Sequence, residues 1–138
     1  MFPIDHEPVV VIDWKVGDPI DALTKAGNKP SWTTVQSRYW MNVAETAGKG
    51  EYTAENIARM IDGKAPLHPL IGVSKELHHK EGRAIENPHN INNLKEVWPW
   101  EHADIDPHRH YKGPRPEGQG SMQLFFTTIL VVKVIRMM

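Results

Sequence analysis

The chain has 138 residues, enough for one domain with a modest core. It contains no cysteine, which excludes a disulfide framework and any thiolate metal site, so a bound metal must use histidine, carboxylate or amide ligands. A formal net charge of -1 excludes a uniformly basic nucleic-acid binder, and a hydrophobic fraction of 40% with five tryptophans excludes a disordered chain.

The N-terminus carries Asp5 and Glu7 and lacks the basic start and apolar stretch of a signal peptide, so none is expected. Val9–Ile12 is short, apolar and β-branched, and predicts a strand. Gly17-Asp18-Pro19 and Gly27-Asn28-Lys29-Pro30 are turn chemistry. A first helix is expected to start at Thr33 as N-cap, with Gln36 in the reciprocal capping-box position. Val35, Tyr39 and Val43 share one stripe of it, Trp32 and Trp40 pack it onto the rest, and Gly48 ends it. Thr53 caps a second helix that buries Ile57, Met60 and Ile61 and stops at Gly63. The prolines at 66 and 69 prevent its continuation.

Lys75 to His79 predicts a strand that ends in two histidines. A polar loop follows, then a second strand over Asn92–Trp98, then a helix opened by Pro99. His102 and Asp106 stand four apart and so face the same side of that helix. Neighbouring strand residues point to opposite faces, which lets His78 and His79 divide two tasks, one ligating a metal and the other taking a proton from water. Two imidazoles and one carboxylate leave positions on a divalent ion for a phosphate oxygen and water.

Gly113–Gly120 is a Gly/Pro-rich linker into an apolar tail, 121–138, that predicts a strand and is too short and too charged to span a membrane. The expected organisation is a single domain over 1–120 with a motif core at 75–112, in an α+β class: a helical N-terminal part followed by a strand–loop–strand–helix unit.

His78-His79, Asn93 fourteen positions later, His102 nine further on and Asp106 four beyond that resemble the ββα-metal (His-Me finger) motif of His-Asn-His nucleases. The chain is most similar to endonuclease VII superfamily toxin domains with a Leu-His-His signature, found in Rhs-type polymorphic bacterial toxins. Lys15-Val16-Gly17-Asp18-Pro19, Pro30-Ser31-Trp32, Arg38-Tyr39-Trp40 and Ala58-Arg59-Met60 resemble the lead-in of such domains, so the likeness covers Trp14 to Lys112.

The resemblance implies that His78, His102 and Asp106 hold one divalent metal, that His79 is the general base, and that Asn93 braces the loop and orients His79. It implies phosphodiester cleavage of DNA. It also implies export within a larger toxin, action in the cytoplasm of a target cell, and a cognate immunity protein. Related colicin enzymes carry histidine at the position of Asp106; the harder carboxylate favours Mg²⁺ or Mn²⁺ over Zn²⁺ or Ni²⁺. Pro107 disfavours helical geometry at Asp106, which leaves His108 or His110 as alternative third ligands.

His108, Arg109, His110 and Lys112 form a basic cluster suited to phosphate. Glu76 either orients a ligand or pairs with Lys75 or Lys95 as an exposed charge, the preferred reading, and His89 reads as solvated in its polar loop. An RNase of the same fold and a non-catalytic metal-binding interaction module are the competing functions; the latter leaves His79 and Asn93 without a role.

Overall fold

The computed structural model describes residues 13–48 and 50–116, so both expected terminal strands lie outside the described residues. The N-terminal part is helical and the C-terminal part holds the sheet, an α+β arrangement. Helix α1 spans Trp32–Thr46 and α2 spans Ala54–Ile61. Strands β1 (Glu76–His79) and β2 (Leu94–Val97) pair antiparallel, and α3 (Pro99–Ile105) follows at once.

The N-cap of α1 is Ser31, two residues before the expected Thr33. Its backbone is extended, and its hydroxyl accepts the Thr34 N–H at 3.2 Å. Starting earlier winds Trp32 into the helix. The helix ends at Thr46 because Ala47 is already extended, while Gly48 donates its N–H to Glu51 Oε1 at 2.6 Å.

Thr53 caps α2 as expected, accepting the Asn56 N–H at 3.1 Å. Of its three expected core residues Met60 is fully buried and Ile57 half-buried, whereas Ile61 is exposed. The helix is only eight residues long, so its buried stripe is narrow; Asn56 fills the remaining inward position. The Asn56 amide clamps Leu67 by both backbone groups, donating to its carbonyl at 2.9 Å and accepting from its N–H at 2.8 Å. That clamp turns the proline-broken segment back towards the sheet.

The core consists of Ile20, Val35, Trp40, Met60, Leu77 and Leu94, which joins α1 and α2 to one face of the hairpin. Arg38 is buried in it and donates to the carbonyls of Ile20 at 3.1 Å and Ala22 at 2.8 Å. Its charge faces backbone dipoles and the Trp14 ring, 5.3 Å away, rather than hydrocarbon alone. A second tie lies at the sheet edge, where Glu96 accepts from Tyr39 at 2.6 Å and pairs with Lys75 at 2.8 Å.

The hairpin register is Glu76 with Val97, Leu77 with Glu96, His78 with Lys95 and His79 with Leu94. Because side chains alternate, Leu77 and His79 face α1 while Glu76 and His78 face α3. Pro99 occupies the first turn of α3, and Glu101 accepts the Trp98 N–H at 2.8 Å to cap it. Asp106 is the C-cap, with φ -126° and ψ 111°, as Pro107 requires.

Gly63 ends α2 with φ +83°, and a Cβ there would lie 2.9 Å from Ser37 Cβ on α1. Gly63→Ala should therefore destabilise the fold by about 1–3 kcal/mol, read as a lower urea midpoint at constant slope. An unchanged midpoint would mean that α1 and α2 do not approach this closely in solution.

Candidate metal centre

Strand β1 and helix α3 bring His78, His102 and Asp106 together, with one ligand atom from each lying within 4.8 Å of the others. Asp106 Oδ2 is 3.4 Å from His102 Nε2 and 3.8 Å from His78 Nδ1. Ligand atoms around one ion at about 2.0–2.2 Å are separated by roughly 3–3.5 Å, so small rotations would close the set. The donor set, two imidazoles and one carboxylate, matches a divalent cation. His78 Nδ1 is buried and has no hydrogen-bond partner. Such an orphan costs about 1–3 kcal/mol, and a cation between it and Asp106 removes the deficit. The residues fit a metal.

Asp106 remains in the group although it has left the helix. Its Oδ1 accepts the His108 N–H at 2.9 Å, a local turn that leaves Oδ2 directed at the two imidazoles. That backbone hydrogen bond, with His102 and His78 nearby, holds its carboxyl below the usual range. His108 and His110 are exposed and not in the group, which leaves Asp106 as the third member.

Glu76 is not the exposed charge expected from sequence. It lies two residues before His78 on the same strand face and accepts from His102 Nδ1 at 2.7 Å. A carboxylate on Nδ1–H fixes the ring and leaves the Nε2 lone pair for the ion. Arg109 grips the same carboxylate from Nε at 3.0 Å and Nη2 at 2.7 Å. Burial alone would raise the Glu76 carboxyl, but the hydrogen bonds from Arg109 and His102 outweigh it and hold it low. Arg109 is thus engaged within the protein, while His108, His110 and Lys112 of the same basic cluster are exposed.

His79 points to the other face of β1, against Trp32, with ring centroids 4.4 Å apart. Burial first, then the neighbouring His89 and Arg83, push its imidazolium down to about 4, so the ring is neutral at physiological pH. His78 and His89 are lowered too, chiefly by burial.

Asn93 is fully buried. Its Oδ1 accepts the Glu81 N–H at 2.8 Å, and its Nδ2 donates to Gly82 O at 3.1 Å and Pro88 O at 2.8 Å. It therefore ties both limbs of the β1–β2 loop. His78, His79, His102, Asp106, Arg83 and Trp32 border one cavity of about 560 Å³.

Sequence reasoning missed His89 and Trp32 as parts of this site, preferred an exposed charge at Glu76 and left Arg83 undecided. Period-two alternation would have put Glu76 beside His78. For His89 and Arg83, within an irregular loop, there was no comparable signal.

Comparison of the chain with family models, with curated proteins and with solved structures gives no match. Among the described residues no helix is long and apolar enough to cross a membrane.

Two expectations follow. Glu76→Gln should weaken Mn²⁺ or Zn²⁺ binding by about 10–100-fold in calorimetry, whereas His110→Ala should leave it unchanged; equal affinities in both variants would remove Glu76 from the site. The second concerns acid. Between pH 6.5, where an unfolded histidine protonates, and about 4, where folded His79 does, the unfolded chain holds the extra proton. Stability in EDTA should therefore fall as pH drops through that window, and His79→Asn should flatten the decline. Identical urea midpoints across the window for both proteins would contradict the depressed imidazole.

Proposed function

We propose that the chain is a metal-dependent endonuclease that hydrolyses phosphodiester bonds of DNA, built on a ββα-metal core. The observation that carries this reading is the division of β1. His78 faces a three-ligand group, while its neighbour His79 borders the same cavity as a neutral imidazole outside that group. A structural metal site needs closed coordination and no adjacent base, whereas hydrolysis needs open positions and a proton acceptor.

A divalent cation bound by His78, His102 and Asp106 supplies Lewis-acid stabilisation of the negative charge on the phosphate oxygens. The chain's own groups do the rest. His79 removes a proton from the attacking water as its oxygen bonds to phosphorus. The bond from phosphorus to the leaving oxygen breaks, and that oxygen leaves as the hydroxyl after taking a proton from solvent. Asn93 keeps the loop in place while Glu76 holds His102. Exposed Arg83 and Lys80 on the cavity rim meet the flanking phosphates, which offsets a net charge of -1 by local concentration of cations.

The likeness of the spaced His78-His79, Asn93, His102 and Asp106 to toxin nucleases supports a further step. On this reading the domain acts in a target cell as part of a larger exported toxin and is neutralised by an immunity protein in the producer.

Supercoiled plasmid should be nicked in Mg²⁺, Mn²⁺, Ni²⁺ or Zn²⁺ and not in EDTA. His79→Ala should slow nicking by about 10²–10⁴-fold without loss of metal binding. Cleavage of RNA but not of plasmid would reassign the substrate. Folded, metal-loaded protein that cuts neither would leave a metal-binding interaction module.

A further inference from the structure

His89 sits in the β1–β2 loop with its Nδ1 3.0 Å from His79 Nε2. Trp32 lies along both rings, its centroid 4.8 Å from that of His89 at an interplanar angle of 25° and 4.4 Å from that of His79. The backbone before His89 is held as firmly as the ring. Pro88 O accepts from the buried Asn93, Asn87 adopts φ +58°, and Asn90 N–H closes a turn onto Asn87 O at 3.1 Å. This is a built position, half-buried, and not the solvated loop histidine that its surroundings in sequence suggest.

Two neutral imidazoles at this separation share one proton, and its owner decides what His79 can do. If His89 donates, the Nε2 lone pair of His79 is occupied and the His79 proton sits on Nδ1, so the ring has no basic nitrogen left. If His79 donates, its Nδ1 keeps a free lone pair and His89 carries its own proton on Nε2. We propose that His89 is a positioning residue whose Nδ1 accepts the His79 Nε2–H, holding His79 in the tautomer with its lone pair on Nδ1.

The functional value of this tautomer rests on the endonuclease reading, in which Nδ1 takes the proton of the attacking water. The arrangement also gives Asn93 a route to His79. Its amide fixes Pro88, Pro88 fixes His89, and His89 fixes the imidazole, with Trp32 limiting the tilt of both rings.

The test uses the full chain labelled with ¹⁵N. Long-range proton–nitrogen spectra of the imidazoles at neutral pH should show His79 as a single Nε2–H tautomer. His89→Ala should shift His79 nitrogen frequencies towards the averaged values of a solvated ring. His89→Asn, whose Oδ1 stands near the former Nδ1, should restore them. His89→Leu, which keeps the packing on Trp32 but offers no acceptor, should behave like His89→Ala and separates the hydrogen bond from folding.

Plasmid nicking should fall about 10–100-fold in the Ala and Leu variants, in kcat and not in metal affinity, and recover in Asn. A wild-type His79 carrying its proton on Nδ1 would overturn the proposal. So would nicking by the Ala and Leu variants at the wild-type rate with the tautomer unchanged. If the wild type nicks nothing, the endonuclease reading fails, while the spectra alone still decide whether His89 sets the tautomer.

Discussion

A single buried amide governs the geometry of the site. Asn93 is wholly enclosed, and a polar side chain there is tolerated because its oxygen and both sides of its nitrogen are used. Its partners lie on the outgoing limb of the β1–β2 loop, at Glu81 and Gly82, and on the returning limb, at Pro88. The Asn93 carbonyl also accepts the Lys80 N–H at 2.7 Å, which extends the ladder one residue past β1. An apolar residue could fill the volume but not close the loop. Without that closure the His79 end of β1 would have no fixed relation to His89, and the strand register would rest on four residue pairs alone.

From that fixed hairpin the pleat distributes the chemistry. Leu77 enters the core beside Val35 and Met60, which anchors β1 against rotation. With Leu77 inward, His79 must face α1 as well, and Glu76 and His78 must face α3. A one-residue slip would exchange the two sets and bury the wrong histidine, so the hydrophobic core specifies the ligand face. Helix α3 then needs to be short. It presents His102 from its first full turn, and Pro107 ends it so that Asp106 can swing out, lose helical geometry and still reach both imidazoles. A longer helix would keep Asp106 at a fixed helical offset from His102, where its carboxylate could not also take the His108 N–H.

The parts of this architecture that depend on local rules were readable in the sequence. Alternation gave the opposed histidines, Pro99 the start of α3, the four-residue spacing the pairing of His102 with Asp106, and Thr53 the cap of α2. Pro107 signalled that Asp106 would leave helical geometry; what it could not signal was that Asp106 as C-cap stays in the cluster, since this follows from a side-chain turn onto His108. Ser31, and not the expected Thr33, caps α1, two residues off the expected boundary. Ile61 was misjudged because Asn56, Ile57 and Met60 make up the inward stripe of this two-turn helix and leave Ile61 outside it. The contributions of His89, Arg109 and Trp32 come from tertiary closure: a loop folding back, a post-helical segment crossing to Glu76, and a helix end meeting a strand end. Periodicity carries no information about such meetings.

Among the described residues several local conflicts meet at the candidate site. His78 keeps a buried nitrogen without a partner, three histidines are held below their ordinary range largely by burial, and Asn87 adopts a left-handed backbone beside His89. Arg38 and Asn56, by contrast, are buried with hydrogen-bond partners. A domain shaped only for stability would have relieved these conflicts, since an apolar residue at 78 or 89 would pack without an acceptor to satisfy. The same features are useful together. Neutral imidazoles are what a cation requires of its ligands and what a proton acceptor must be, and burial favours that neutral form. The cost in stability and the capacity for chemistry therefore have one origin, the enclosure of these rings between α1, α3 and the loop that Asn93 holds closed.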